Sequence, residues 1–130
     1  MSPAQFTPFD MEDKQRYPLT MRNLTEKRCV PCEGGMPPLG DAEIKDLIRE
    51  VPAWSLKEGH LCRSFKFKNF AEAIRFVNAV ARLAEEEGHH PNILIRYNRV
   101  ELDLWTHAIK GLSENDFILA AKIDRLEVEI

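Results

Sequence analysis

The run Glu85-Glu86-Glu87-Gly88-His89-His90-Pro91-Asn92-Ile93-Leu94-Ile95-Arg96-Tyr97 decides how this chain is read. A long amphipathic stretch closes in acidic residues, and Gly88 offers the left-handed C-cap at which helices commonly end. The Ile93–Ile95 run then opens a strand. Two adjacent histidines therefore fall at the junction of two rigid elements. The chain has four histidines in all, three of them between His89 and His107. Imidazole is the side chain whose unperturbed pKa lies closest to neutrality, so such a cluster suits proton transfer. A solvated turn that happens to contain histidines is the plainer alternative.

Upstream of this junction, Asn69 with Glu72 three residues later forms a capping-box-like start. Phe70, Ile74, Val77, Val80 or Ala81, and Ala84 mark the apolar stripe of the helix that follows. Before it, Trp54–Lys57 and Leu61–Lys68 read as strands joined at Glu58-Gly59, with Leu61, Phe65 and Phe67 on one face. Earlier still, a helix begins at Gly40 or Asp41, carries Ile44, Leu47, Ile48 and Val51 at helical spacing, and stops at Pro52.

Downstream, Asn92–Tyr97 and Arg99–Trp105 form a second hairpin turning at Asn98-Arg99. Ile93, Ile95 and Tyr97 share one face, and Trp105 and His107 fall on the parity opposite to Val100, Leu102 and Leu104. A final helix starts at Ser113 with Asp116 in its first turn, Leu112 stapling to Phe117, and a stripe through Ala120 or Ala121, Ile123 and Leu126. The order αββαββα implies an α+β fold, a four-stranded antiparallel sheet with helices packed on one face. A sheet this small leaves two open edges, which invites a homo-oligomer, a homodimer or homotetramer.

Residues 1–39 carry six of the eight prolines and show no sustained apolar period, so they read as an extended N-terminal arm before a domain spanning 40–130. Within the arm, Cys29-Val30-Pro31-Cys32 has zinc-ligand spacing that His60 and Cys62 could complete. A second close pair is missing, and two thiols in a turn packed against the domain fit equally. Three cysteines, an odd number, do not form a disulfide framework.

Composition narrows the partners. The 130 residues suit one compact domain. A hydrophobic fraction of 44% with 30% charged residues marks an ordinary globular chain. The net charge of -3 gives no footprint for direct nucleic-acid binding. No apolar run is long enough to span a membrane, and the N-terminus lacks a basic region followed by an apolar one, so the expected location is the cytoplasm.

Glu85, His89-His90-Pro91, Tyr97, His107 and Asp116, at these spacings, together resemble the signature of the pterin-4a-carbinolamine dehydratases. The resemblance covers about Cys29 to Leu126, and the Cys-Val-Pro-Cys-Glu-Gly-Gly segment is similar to one in some members. It implies dehydration of a 4a-hydroxytetrahydropterin to quinonoid dihydropterin and water, without metal or organic cofactor. It also implies His89, His90 and His107 as the catalytic group: His107 or His89 is the acid at the leaving hydroxyl and His90 is the base. Pro91 would set the backbone after the pair, and Glu85 would orient an imidazole or bond the pterin. Asp116 reads as substrate-binding or as a helix cap, and Trp105 as a stacking surface or an interface residue. Tyr97 reads as core. The chain departs from some members at Gly88 and Asn92-Ile93, where they carry an acidic residue and an aromatic.

Two other readings stay open. Some animal members of the family act as dimerisation cofactors for a homeodomain transcription factor, which would make this chain a module for a protein partner. The three histidines could instead form a zinc site with an open position for water.

Overall fold

The computed structural model describes residues 24–31 and 37–129, with side chains through Leu126. After a 3-10 turn at Leu24–Glu26, the elements are α1 (Asp41–Ile48), β1 (Ser55–Lys57), β2 (His60–Lys66), α2 (Phe70–Glu87), β3 (Asn92–Arg96), β4 (Arg99–Leu104), a second 3-10 turn at His107–Ile109, and α3 (Glu114–Glu129). The sheet is antiparallel throughout, in the order β1-β2-β4-β3. This is the α+β architecture expected from the two hairpins and their intervening helices.

Side chains alternate across a strand, so register decides which residues meet the helices. Leu61 pairs with Leu104, Arg63 with Leu102 and Phe65 with Val100. These five apolar residues are buried and face α2 and α3, where Phe76, Val80, Phe117 and Ile123 close the core. Phe65 and Phe76 tilt against each other with centroids 4.6 Å apart. Arg63 lies on this face too, its guanidinium over the Phe65 ring and ion-paired to Asp124, which also accepts from Trp54 Nε1. The opposite face carries His60, Cys62, Ser64, Glu101 and Asp103 and is polar.

The caps of α2 form as expected. The Asn69 side chain accepts the Glu72 amide, and Gly88, with φ +67°, ends the helix in the left-handed region. The buried stripe, however, is Ala73, Phe76, Val80 and Ala84. Phe70 is half exposed and does not join that stripe. Helix α3 is buried over the whole run Phe117–Ala121. Such all-round burial arises when a helix is covered on more than one side. Leu24 and the residues after it pack on α3 opposite the sheet, with Lys27 Nζ on Glu114 at 2.6 Å.

The second hairpin departs from the expected one. Its turn is Tyr97-Asn98 rather than Asn98-Arg99, because Arg96 pairs directly with Arg99. Tyr97 therefore leaves the strand, takes φ +49° and is 66% exposed instead of joining the core. Strand β4 also ends at Leu104, so His107 opens a 3-10 turn instead of extending a strand. That turn is closed by a bridge between Thr106 and Gly111. A Cβ on Gly111 would sit 2.6 Å from Pro38 Cβ, so only glycine lets residues 37–39 run this close; Leu39 N–H donates to Leu112 O there.

Candidate active site

Helix α2 ends at Gly88, and the reversal delivers His89 against the start of α3. There His89 Nε2 lies 2.6 Å from Oδ1 of Asp116, a residue with no exposed surface. The other oxygen, Oδ2, accepts from Thr106 Oγ1 at 2.8 Å and from the Ser113 amide at 3.0 Å. Thr106 in turn meets Ser113 Oγ at 2.8 Å. A carboxylate that is ionised accepts only, so against one His89 Nε2 is the donor and Nδ1 the nitrogen not engaged by Asp116. Asp116 also reaches back to the backbone before its own helix, the reciprocal half of a capping box. Of the two roles read for Asp116 in the sequence, substrate binding and helix capping, Oδ2 performs the cap, while Oδ1 meets His89, a contact the sequence did not suggest.

His90 is more exposed, and its Nε2 lies 2.6 Å from Glu85 Oε2, one turn back along α2. Pro91 follows and leads into β3. On the far wall, His107 stands edge-on to Trp105, ring centroids 4.6 Å apart and planes at 79°. Trp105 is also stacked on His60, at 4.9 Å and 8°. His60 Nδ1 is held by Asp103 Oδ1 at 2.6 Å. His89, His90, Trp105, Thr106 and His107 line one cleft of about 300 Å³, and Glu85, Pro91 and Asp116 are not part of that lining.

Val30, Pro31 and Asn115 also line the cleft. Asn115 holds Val30 as a neighbouring strand would, accepting from its amide at 3.0 Å and donating to its carbonyl at 2.5 Å. One residue earlier, the Cys29 amide donates to Glu87 Oε1 at 2.9 Å, while Glu87 Oε2 pairs with Lys122 Nζ at 2.5 Å. Burial pushes the Glu87 carboxyl up, but the Cys29 amide and the Lys122 ammonium outweigh it and hold the group below the usual carboxylate range. Burial, reinforced by the Glu87 charge, pushes the Cys29 thiol up to about 12. That thiol donates to Asn115 O at 3.6 Å. Burial, then the Asp103 charge, also raises the Cys62 thiol.

Among the described residues, no three His, Cys, Asp or Glu side chains are grouped to hold a metal ion. Cys32 lies outside the described residues. His60, weighed in the sequence only as a zinc ligand, is instead bonded to Asp103 and stacked on Trp105. Thr106, Ser113, Asn115 and Glu87 went unread as site residues, although the Ser113-x-x-Asp116 spacing was a signal for one of them. Among the described residues, no helix is long and apolar enough to cross a membrane.

Comparison with known proteins gives the family. Residues 37–126 match the family model described as pterin 4 alpha carbinolamine dehydratase. A relative from Rubrobacter xylanophilus, named "Putative pterin-4-alpha-carbinolamine dehydratase", is 53% identical over 107 residues, covering 82% of this chain and all of its own. One of the same name from Alkaliphilus metalliredigens is 49% identical over 111 residues, 84% of this chain and all of its own. A crystal structure described as a transcriptional coactivator/pterin dehydratase from Brucella melitensis superposes with a TM-score of 0.66 at 34% identity, over 68% of this chain and 97% of that one.

Proposed function

Because the chain belongs to the pterin 4 alpha carbinolamine dehydratase family, we propose that it removes water from a 4a-hydroxytetrahydropterin, using His89, His90 and His107 as its acids and bases. The C4a–O bond breaks and the hydroxyl leaves with a proton supplied by His89 or His107. The adjacent ring N–H gives its proton to His90, and its electron pair closes the new C=N bond of the quinonoid dihydropterin. Protons balance within the site, so the step requires no metal or organic cofactor.

The observation that carries this reading is the anchoring of His89 on buried Asp116. A histidine that merely decorates a turn has no need of a carboxylate that is itself fixed by two further donors. Asp116 accepts from Nε2 in either protonation state of the ring, so proton exchange is confined to Nδ1. Glu85 orients His90 in the same manner from a more exposed position. Trp105 and the Val30-Pro31 wall supply apolar surface for a flat heterocycle. The test is the rate of dehydration of freshly generated 4a-hydroxytetrahydropterin, followed by absorbance. The native protein should accelerate it, and folded His89→Ala, His90→Ala and His107→Ala variants should lose about 10²-fold or more among them. A native rate no faster than the spontaneous one overturns the proposal.

A second role, docking to a protein partner, has one observation in its favour. Edge strand β3 exposes Ile93, Leu94 and Ile95, and the Brucella melitensis protein is described as a coactivator as well as a dehydratase. The same edge suits self-association into a homodimer or homotetramer. Histidine substitutions that abolish dehydration should leave either association unchanged.

A further inference from the structure

We propose that His60 is a positioning residue for His107, acting through Trp105; the inference rests on the dehydratase reading above. His60 opens β2, and Leu61 pairs with Leu104, so His60 and Trp105 meet across the two strands on the polar face of the sheet. Their rings lie nearly parallel, and Asp103 two residues before Trp105 fixes the imidazole through Nδ1. Trp105 then presents itself at right angles to His107. Among the described residues, no hydrogen bond holds the His107 ring. Its placement depends on the indole, and the indole's placement depends on the ring stacked behind it. His89 and His90 each have a carboxylate for this purpose; for His107 the same job falls to the series Asp103, His60, Trp105. Stacking of flat rings at such separations is favourable and directional.

The expected results separate positioning from simple structural support. In His60→Ala, Trp105 loses its backing and His107 drifts from its working place, so kcat falls about tenfold while KM stays within about twofold. His60→Phe restores a flat ring behind the indole; Asp103, being partly exposed, is rehydrated, and kcat returns to within about threefold of native. The four histidines also make the ring C–H signals of His107 easy to follow by NMR. The indole ring current displaces them in the native protein; they should move toward free histidine in His60→Ala and return in His60→Phe. Where His60→Ala lowers the folded fraction, His60→Val, a strand-favouring residue without a ring, makes the same test.

Unmoved His107 signals in a folded His60→Ala or His60→Val protein overturn the inference, as does an unchanged kcat or a change confined to KM. A native protein without dehydratase activity, whose His107 signals still respond to His60→Ala, sinks the functional reading and leaves the coupling standing. The two failures are thereby distinguishable.

Discussion

Replacing Asp116 by asparagine keeps the shape of the site and changes the one property on which the proposed mechanism depends. The Ser113 amide is a fixed donor, so the asparagine carbonyl must take the place of Oδ2 and accept from it. The amide nitrogen is then directed at His89 Nε2, where Oδ1 stood at 2.6 Å. Two N–H groups cannot face each other at that distance, so Nε2 must give up its proton and accept. The proton moves to Nδ1, toward the ligand. The ring can no longer take a proton there, and it cannot become the doubly protonated acid without recreating the clash. Positioned acid–base groups contribute about 10²- to 10⁴-fold; three histidines share the work, so the lower end applies. The expected loss is about 10² in kcat/KM, equivalent to about 2.7 kcal/mol of barrier. Trading charge-assisted for neutral hydrogen bonds also costs about 1 to 3 kcal/mol of stability, so the assay is run well below the variant's melting temperature. Dehydration kinetics and the ¹⁵N tautomer signature of His89 are measured on the same sample. A switched tautomer with a rate within twofold of native would refute the role given to His89.

Other outcomes are equally definite. Lys122→Met removes the ammonium paired with Glu87, which is 5% exposed; removing one partner of a buried pair costs about 3 to 5 kcal/mol, reduced here to about 2 to 3 because Lys122 is 15% exposed and Cys29 and the Arg28 charge still act on Glu87, and urea unfolding reads it. Glu87 binds protons less readily folded than unfolded, so its contribution is present above the ordinary carboxylate pKa and lost as pH falls through the lower folded value; the stability of Glu87→Gln should fall less steeply in that acid window. With its thiol pushed up to about 12 from 9.0, Cys29 should alkylate about a thousandfold more slowly than a free cysteine near pH 8, as residue-resolved mass spectrometry would show. Tyr97→Asn, at an exposed position with φ +49°, should raise stability by about 0.5 to 1 kcal/mol, since asparagine tolerates the left-handed region better; a lower melting temperature would contradict this. Leu94→Lys on β3, 45% exposed, should shift the mass measured by light scattering toward monomer if that edge is the self-association surface.

What could be read in advance followed from local chemistry. Asn69, Gly88 and Glu58-Gly59 specify caps and a turn within a few residues of themselves, and the alternation of Leu61, Phe65, Val100 and Leu102 specifies a half-buried sheet. The fold was legible for that reason. Tyr97 was misread because alternation continues on paper past the point where the Arg96–Arg99 pairing turns the chain, and only pairing can show that. Phe70 was misread because periodicity assigns a stripe without saying which of its positions the rest of the fold covers. At the site, the histidine cluster stood out in the sequence itself, while the parts read for Glu85 and Asp116 came from the family resemblance. The contacts of Glu87 with residue 29 and of His60 with Trp105 join positions more than forty residues apart, and no local pattern announces them.

The double use of Asp116 changes what selection can do with this protein. Polar groups placed for chemistry usually cost stability, so a population screened for heat resistance tends to lose them. Here the same carboxylate closes the first turn of α3 and aims His89, so most replacements weaken both at once. Screening for thermal tolerance alone, with no demand for activity, should therefore retain aspartate at this position.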